Sequence, residues 1–147
     1  MADDDPMDVE GALETLNRAL PLQFRSALHY ATTAGSVGGL EYIGLAERFW
    51  SYAEHELVDA RRLVEKILAL GGTPSLEVAS WPFEMDATKA VRGLVECERE
   101  VIAALHKVIP TTGQEPRSEA LEHLIEHLII RKQEQADTLL RALGDTE

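Results

Sequence analysis

The 147-residue chain has one cysteine, Cys97, and aromatic residues make up only 5% of it. A single thiol forms no internal disulfide and has no second cysteine with which to build a zinc knuckle. Basic residues are also scarce, 14 against 26 acidic ones, for a formal net charge of −12. Phosphate-backbone binding draws its affinity from Lys and Arg, so nucleic acid is not an expected partner. An anionic membrane surface is disfavoured on the same sign argument. The N-terminal residues Met1-Ala2-Asp3-Asp4-Asp5-Pro6 have neither the basic nor the apolar region of a secretion signal. No apolar run approaches the ~18 residues of a membrane span. The expectation is a cytoplasmic protein with its thiol reduced.

What the chain does have is Leu and Ala, within a 45% hydrophobic composition. Both are strong helix formers, which points to an all-α fold. Breakers divide the sequence into four long segments with helical periodicity. The first, residues 9–34, repeats apolar residues at Leu13, Leu16, Leu20, Ala27, Leu28 and Ala31. Pro21 falls inside it and predicts a kink or a late start, since proline lacks an N–H. The second, residues 40–70, carries a stripe of Leu45, Phe49, Ala53, Leu57, Ala60, Val64, Ile67 and Leu68, and ends at Gly71-Gly72 before Pro74. A connection over residues 73–85 follows, with Trp81 and Phe83 expected to lie against the helices. The third segment is residues 86–109, with Asp86 as N-cap, and the fourth is residues 118–143. These lengths give helices of ~33 to 45 Å. The organisation expected is an acidic flexible tail over residues 1–8, a four-helix bundle over 9–144 and a short tail over 145–147. The long link between the second and third helices lets those two run parallel, as a crossover bundle requires.

Function in such bundles comes from polar side chains that point inward. A di-iron carboxylate bundle takes one Glu from each of two helices and a Glu-x-x-His pair from each of the other two. Residues three apart share a helical face. Glu56 and Asp59 have this spacing on the second helix, although as surface residues they would pair instead with Arg61 or Arg62. Glu96, Glu98 and Glu100 alternate on the third helix, so they cannot all share a face. Glu98 lies nearest the stripe of Leu94, Val101, Ile102 and Leu105. On the fourth helix His123-Leu124-Ile125-Glu126-His127 matches an inverted zinc-protease spacing, but a helix rich in these residues matches by chance, and solvated histidines are the simpler reading. His29, His55 and His106 have no paired spacing. Cys97 is expected as a buried, inert thiol.

Residues 16–143 resemble the bacterioferritins and related ferritin-like proteins. The resemblance is carried by Leu16-Asn17-Arg18-Ala19-Leu20, by Ala27-Leu28-His29-Tyr30, and above all by the run from Glu56 through Leu70-Gly71-Gly72-Thr73-Pro74. It implies a ferritin-like four-helix bundle with a long crossover between helices 2 and 3. It places the family's metal ligands at Gln23, Glu56, Asp59, Glu98, Gln133 and Ala136. Gln23, Asp59, Gln133 and Ala136 depart from the family residue, and the haem-binding Met falls at Leu57, so haem is not expected there. Amides are poorer ligands than carboxylates for a hard cation. The implied function is metal handling, with iron or another divalent ion at Glu56, Asp59, Glu98, Gln23 and Gln133, and at most a weak ferroxidase activity. The alternative is a metal-free ferritin-like module acting through a dimer surface or a small apolar pocket. Phe49, Trp50, Leu57 and Val64 widen the second-helix stripe beyond one core, which implies a homodimer or larger homo-oligomer.

Overall fold

A computed structural model describes residues 6–144, so residues 1–5 of the acidic tail expected over 1–8, and the tail at 145–147, lie outside the described residues. The helices are α1 (Val9–Ser36), α2 (Ala46–Ala69), α3 (Ala87–His106) and α4 (Pro116–Leu143), and there is no strand among the described residues. Met7 is buried against the core, and the Asp8 carboxylate accepts from the Gly11 amide at 3.0 Å. These two residues therefore belong with α1, where an N-cap satisfies an amide the helix leaves open, and not with the acidic tail.

Pro21 does not interrupt α1. Its own carbonyl accepts from the Ala79 amide at 3.1 Å, which ties the crossover to the helix beside the missing bond. The second helix begins later than its periodicity suggests. Gly39 takes φ +81, and a short 3-10 turn, Ile43–Leu45, precedes α2. The third ends earlier, at His106, and the chain tightens into a 3-10 turn, Ile109–Thr111, around Pro110, which lacks the N–H that would continue the α-helix. The fourth begins two residues earlier than expected, with Pro116 at its first position, where a missing N–H loses nothing.

Helix α1 packs along α2, α3 packs along α4, and α1 also packs on α3. The buried apolar residues fall into two clusters at opposite ends of the bundle. One gathers Leu16, Leu20, Leu63, Ile67, Leu105, Leu121, Ile125 and Leu128. The other gathers Tyr30, Phe49, Ala53, Val91, Leu94 and Leu139. Between them every helix contributes a polar residue to one buried layer: Gln23, Glu56, Glu98, Lys132 and Gln135. The crossover holds its own path through Asn17, whose amide donates to the Thr73 carbonyl and whose carbonyl accepts from the Ser75 amide. Trp81 lies against α1 and α3 as expected, whereas Phe83 stays exposed.

Candidate functional site: a polar layer at the bundle centre

Each helix reaches this layer by continuing its apolar stripe into a polar residue. On α4 the stripe Leu121, Ile125, Leu128 leads on to Lys132 and Gln135 before Leu139 resumes it. All five side chains of the layer are 0–2% exposed. Burial at this level is costly for charges unless they are paired and hydrogen-bonded.

They are paired. The Lys132 ammonium donates to Glu56 Oε2 in a close ion pair with no exposure on either side chain. Gln23 Nε2 donates to the same Oε2 and, at 2.8 Å, to the Glu56 backbone carbonyl. Gln135 Nε2 bridges the two carboxylates, reaching Glu56 Oε1 at 2.7 Å and Glu98 Oε2 at 2.8 Å. Ser26 Oγ reaches Glu98 Oε1 at 3.5 Å. Asp59 lies one turn from Glu56 and is bound by Arg131 Nη1 at 2.7 Å.

The electrostatics follow from burial first. Desolvation, reinforced by the neighbouring Glu56 carboxylate, pushes Glu98 up to about 7, against the pull of Lys132 and of its hydrogen bonds. Asp59 is also raised by burial, with Arg131 opposing. Tyr30, walled in beside Glu98 and Glu56, has its phenol well above the usual range because ionisation there would add a further buried anion.

Glu56, Asp59, Glu98 and Gln23 are thus all buried at the bundle centre, and Glu56 and Asp59 do not form the surface pairs with Arg61 or Arg62 that their spacing also allowed. Gln133 is not with them. It is exposed and donates to Asp137 Oδ1 at 3.0 Å. Ala136 is buried but brings no donor. The i, i+3 pair that α4 presents to the layer is Lys132 and Gln135, one residue earlier than the expected Gln133 and Ala136, and a slip of one residue turns a helix face by ~100°. Sequence reasoning missed both. The signal that finds Lys132 is the stripe of Leu121 and Leu128 extended by its own spacing, although lysine is rarely a core residue.

A metal centre needs carboxylate and imidazole lone pairs free to face a cation. Here the lone pairs of Glu56 face three N–H donors, and one of those donors is itself a cation. No group of three or more His, Cys, Asp or Glu side chains among the described residues is placed to hold a metal ion. The residues present do not fit a resident two-metal centre. His123 and His127 are both exposed on α4, with His123 4.0 Å from Glu126. Leu57, at the haem-ligand position, is also exposed. No helix among the described residues is long and apolar enough to cross a membrane.

The fold has clear relatives among solved structures. A ferritin-like diiron-carboxylate protein from Bacillus anthracis str. Ames is 26% identical, with a TM-score of 0.85 over 92% of this chain and 97% of that one. A dodecameric thioferritin, the bacterioferritin-related protein of Bacteroides fragilis, is 21% identical, with a TM-score of 0.83 over 94% of this chain and 87% of that one. No curated protein matches the chain. The ferritin-like domain family matches residues 13–147, nearly the whole chain, so this chain belongs to the ferritin-like family.

Proposed function

We propose that this chain is a ferritin-like bundle that supplies its own central cation, Lys132, and works as a structural or interaction module, not as a ferroxidase. Family membership and the likeness to a diiron-carboxylate protein support iron handling as the general setting. Within that setting, the observation that carries the narrower reading is the donor set around Glu56. Gln23, Lys132 and Gln135 all point N–H groups at a carboxylate whose lone pairs a metal would need. The module is a homo-oligomer in this reading. Trp50, Leu57 and Leu68 are each more than half exposed along α2, a row of large apolar side chains that a partner helix would cover. A cytoplasmic setting fits the lone, reduced thiol.

One further observation favours a second reading. Gln23 Oε1, Gln135 Oε1 and Asp59 Oδ2 are buried without a hydrogen-bond partner among the described residues. With Glu56 and Glu98 they are five oxygen-bearing groups that would take a single divalent ion if Lys132 swung away. Anaerobic Fe(II) titration of the purified chain, read by equilibrium dialysis and by oxygen uptake on re-aeration, separates the two. The first reading expects no saturable binding and no oxidation above buffer. Tight binding of iron that is lost in Glu56→Gln would overturn it in favour of the second. Native mass measurement on the same sample tests the oligomer, and a monomer would refute it.

A further inference from the structure

Away from the polar layer, α1 and the crossover flank an open cavity of about 380 Å3. Small-molecule sites are concave, mostly apolar, and fitted with a few fixed polar groups. This one follows that plan. Leu28, Val78 and Phe83 form its apolar side, and Arg25, His29 and Trp81 its polar end.

The polar end is built and not incidental. Arg25 is 6% exposed, and its Nη2 donates to Glu100 Oε2 at 3.0 Å. Its guanidinium carbon lies 5.2 Å from the centroid of the Trp81 ring, in cation–π range. The Trp81 ring also tilts against His29, with centroids 5.6 Å apart. Its edge rests on Gly93 of α3, where an added Cβ would sit 3.1 Å from Nε1. A side chain there would make the ring give by a few tenths of an ångström. Arg25 Nε is buried and has no hydrogen-bond partner among the described residues.

His29 adds a second donor. Its Nδ1 lies 3.2 Å from Cys97 Sγ. Burial pushes that thiol up to about 12, so it keeps its hydrogen. Burial and the Arg25 charge lower His29 to about 4, so the ring is neutral. In the tautomer whose Nδ1 accepts from the thiol, the ring hydrogen sits on Nε2 and is available to a ligand.

We propose that this cavity binds a small amphipathic monocarboxylate. The carboxylate meets the Arg25 guanidinium and the His29 Nε2–H, and the apolar body lies along Leu28, Val78 and Phe83. Charge decides against a dianion, because Glu100 already takes part of the Arg25 charge and Glu84 lines the cavity. A cationic ligand would face Arg25 directly. The shared guanidinium also predicts weak to moderate binding, in the range of roughly 1 μM to 1 mM. The inference stands on this cavity alone and does not depend on the role of Lys132.

The chain has two tryptophans, so a Trp50→Phe background leaves Trp81 as the sole indole reporter. Phenylacetate and octanoate are titrated against the full-length protein, with 2-phenylethanol, benzylamine and inorganic phosphate in parallel. A saturable change in Trp81 fluorescence is expected for both carboxylates, with the alcohol, amine and phosphate at least ~10-fold weaker, since a charge-assisted bond to the carboxylate is absent or opposed. Arg25→Gln should weaken the carboxylates by ~10-fold or more. Phe83→Ala, at an exposed position that the fold does not need, should weaken them ~3-fold or more through lost apolar contact. Absence of a saturable response to both carboxylates, equal binding of the alcohol or amine, or carboxylate binding unchanged in Phe83→Ala would each overturn the proposal.

Discussion

Replacing Lys132 by Met removes the central cation while keeping a side chain of similar length. The loss can be worked from the pair it breaks. Lys132 and Glu56 are both fully buried. Two unit charges ~4 Å apart at an effective dielectric of ~20 attract by ~4 kcal/mol, within the ~3 to 5 kcal/mol found when one partner of a buried pair is deleted. Against a total stability of ~5 to 15 kcal/mol, that is a large fraction. With a urea slope of ~2 kcal/mol per molar, the unfolding midpoint should fall by ~2 M at pH 8. The loss should be smaller at pH 5. Without the ammonium, Glu98 is raised further, so the folded layer takes up a proton and sheds one anion. Adding Glu56→Gln to the Lys132→Met variant should recover most of the stability, because no buried charge is then left unpaired beside Glu98. Urea titrations of the four proteins of this cycle at pH 5 and pH 8, followed by circular dichroism, give the result. A loss below ~1 kcal/mol at pH 8, or the same loss with and without Glu56, would refute the account of the layer as a lysine-neutralised carboxylate pair.

Other expectations follow from the same geometry. Glu98 binds its proton more tightly folded, at about 7, than unfolded near 4.5; this stabilisation is full below pH 4.5 and is lost as pH rises to about 7. The wild-type minus Glu98→Gln stability difference should therefore fall by ~3 kcal/mol across that window, and a flat difference would count against the burial assigned to Glu98. His29 acts oppositely, since its folded value of about 4 lies below 6.5; stability should drop as pH falls between those values, and His29→Phe should flatten that limb in thermal melts. Asp86 caps α3 by accepting from the Lys89 amide at 2.9 Å, so Asp86→Ala should cost ~1 kcal/mol in chemical denaturation. Finally, combining Gln23→Glu, Asp59→His, Lys132→Glu and Gln135→His restores the carboxylate and Glu-x-x-His pattern of a di-iron bundle. That variant should gain divalent-metal binding and a metal-dependent rise in melting temperature; no gain would show that the layer's backbone spacing, and not its side chains, disfavours metal.

The helices were legible in the sequence because leucine spacing, Asp86 and the Gly71-Gly72-Thr73-Pro74 exit agree on where three of the four run. The ends were less so: Pro110 and the turn around Gly39 act within single residues, where periodicity has no resolution. Glu98 could be set beside the stripe of its own helix, whereas the spacing of Glu56 and Asp59 fits a surface pair with Arg61 or Arg62 as well, and it is the resemblance to the bacterioferritins that points them inward. The fourth helix could not be set in the same way. Arg131-Lys132-Gln133-Glu134-Gln135-Ala136 is polar almost throughout, and both Lys132 with Gln135 and Gln133 with Ala136 have the i, i+3 spacing. What decides between them is the partner charge on α2, which no local pattern encodes. The Arg25, His29 and Trp81 cluster was illegible for a related reason: it forms only where the crossover happens to cross α1, and the bond from Ala79 to Pro21 that fixes this crossing joins residues far apart in sequence.

The division of the core into two greasy ends and a polar waist also bears on how the helices find their alignment. Leucine-rich faces tolerate sliding, since one apolar contact replaces another at little cost. A charged waist does not. If α4 slipped by one turn, ~5.4 Å, Lys132 would enter an apolar cluster, and Glu56 and Glu98 would lose their donors together. Misaligned packings are thereby penalised far more than they would be in an all-leucine bundle, so the waist acts as a register key that narrows the chain to one arrangement. The key is cut entirely from side chains that the chain itself carries.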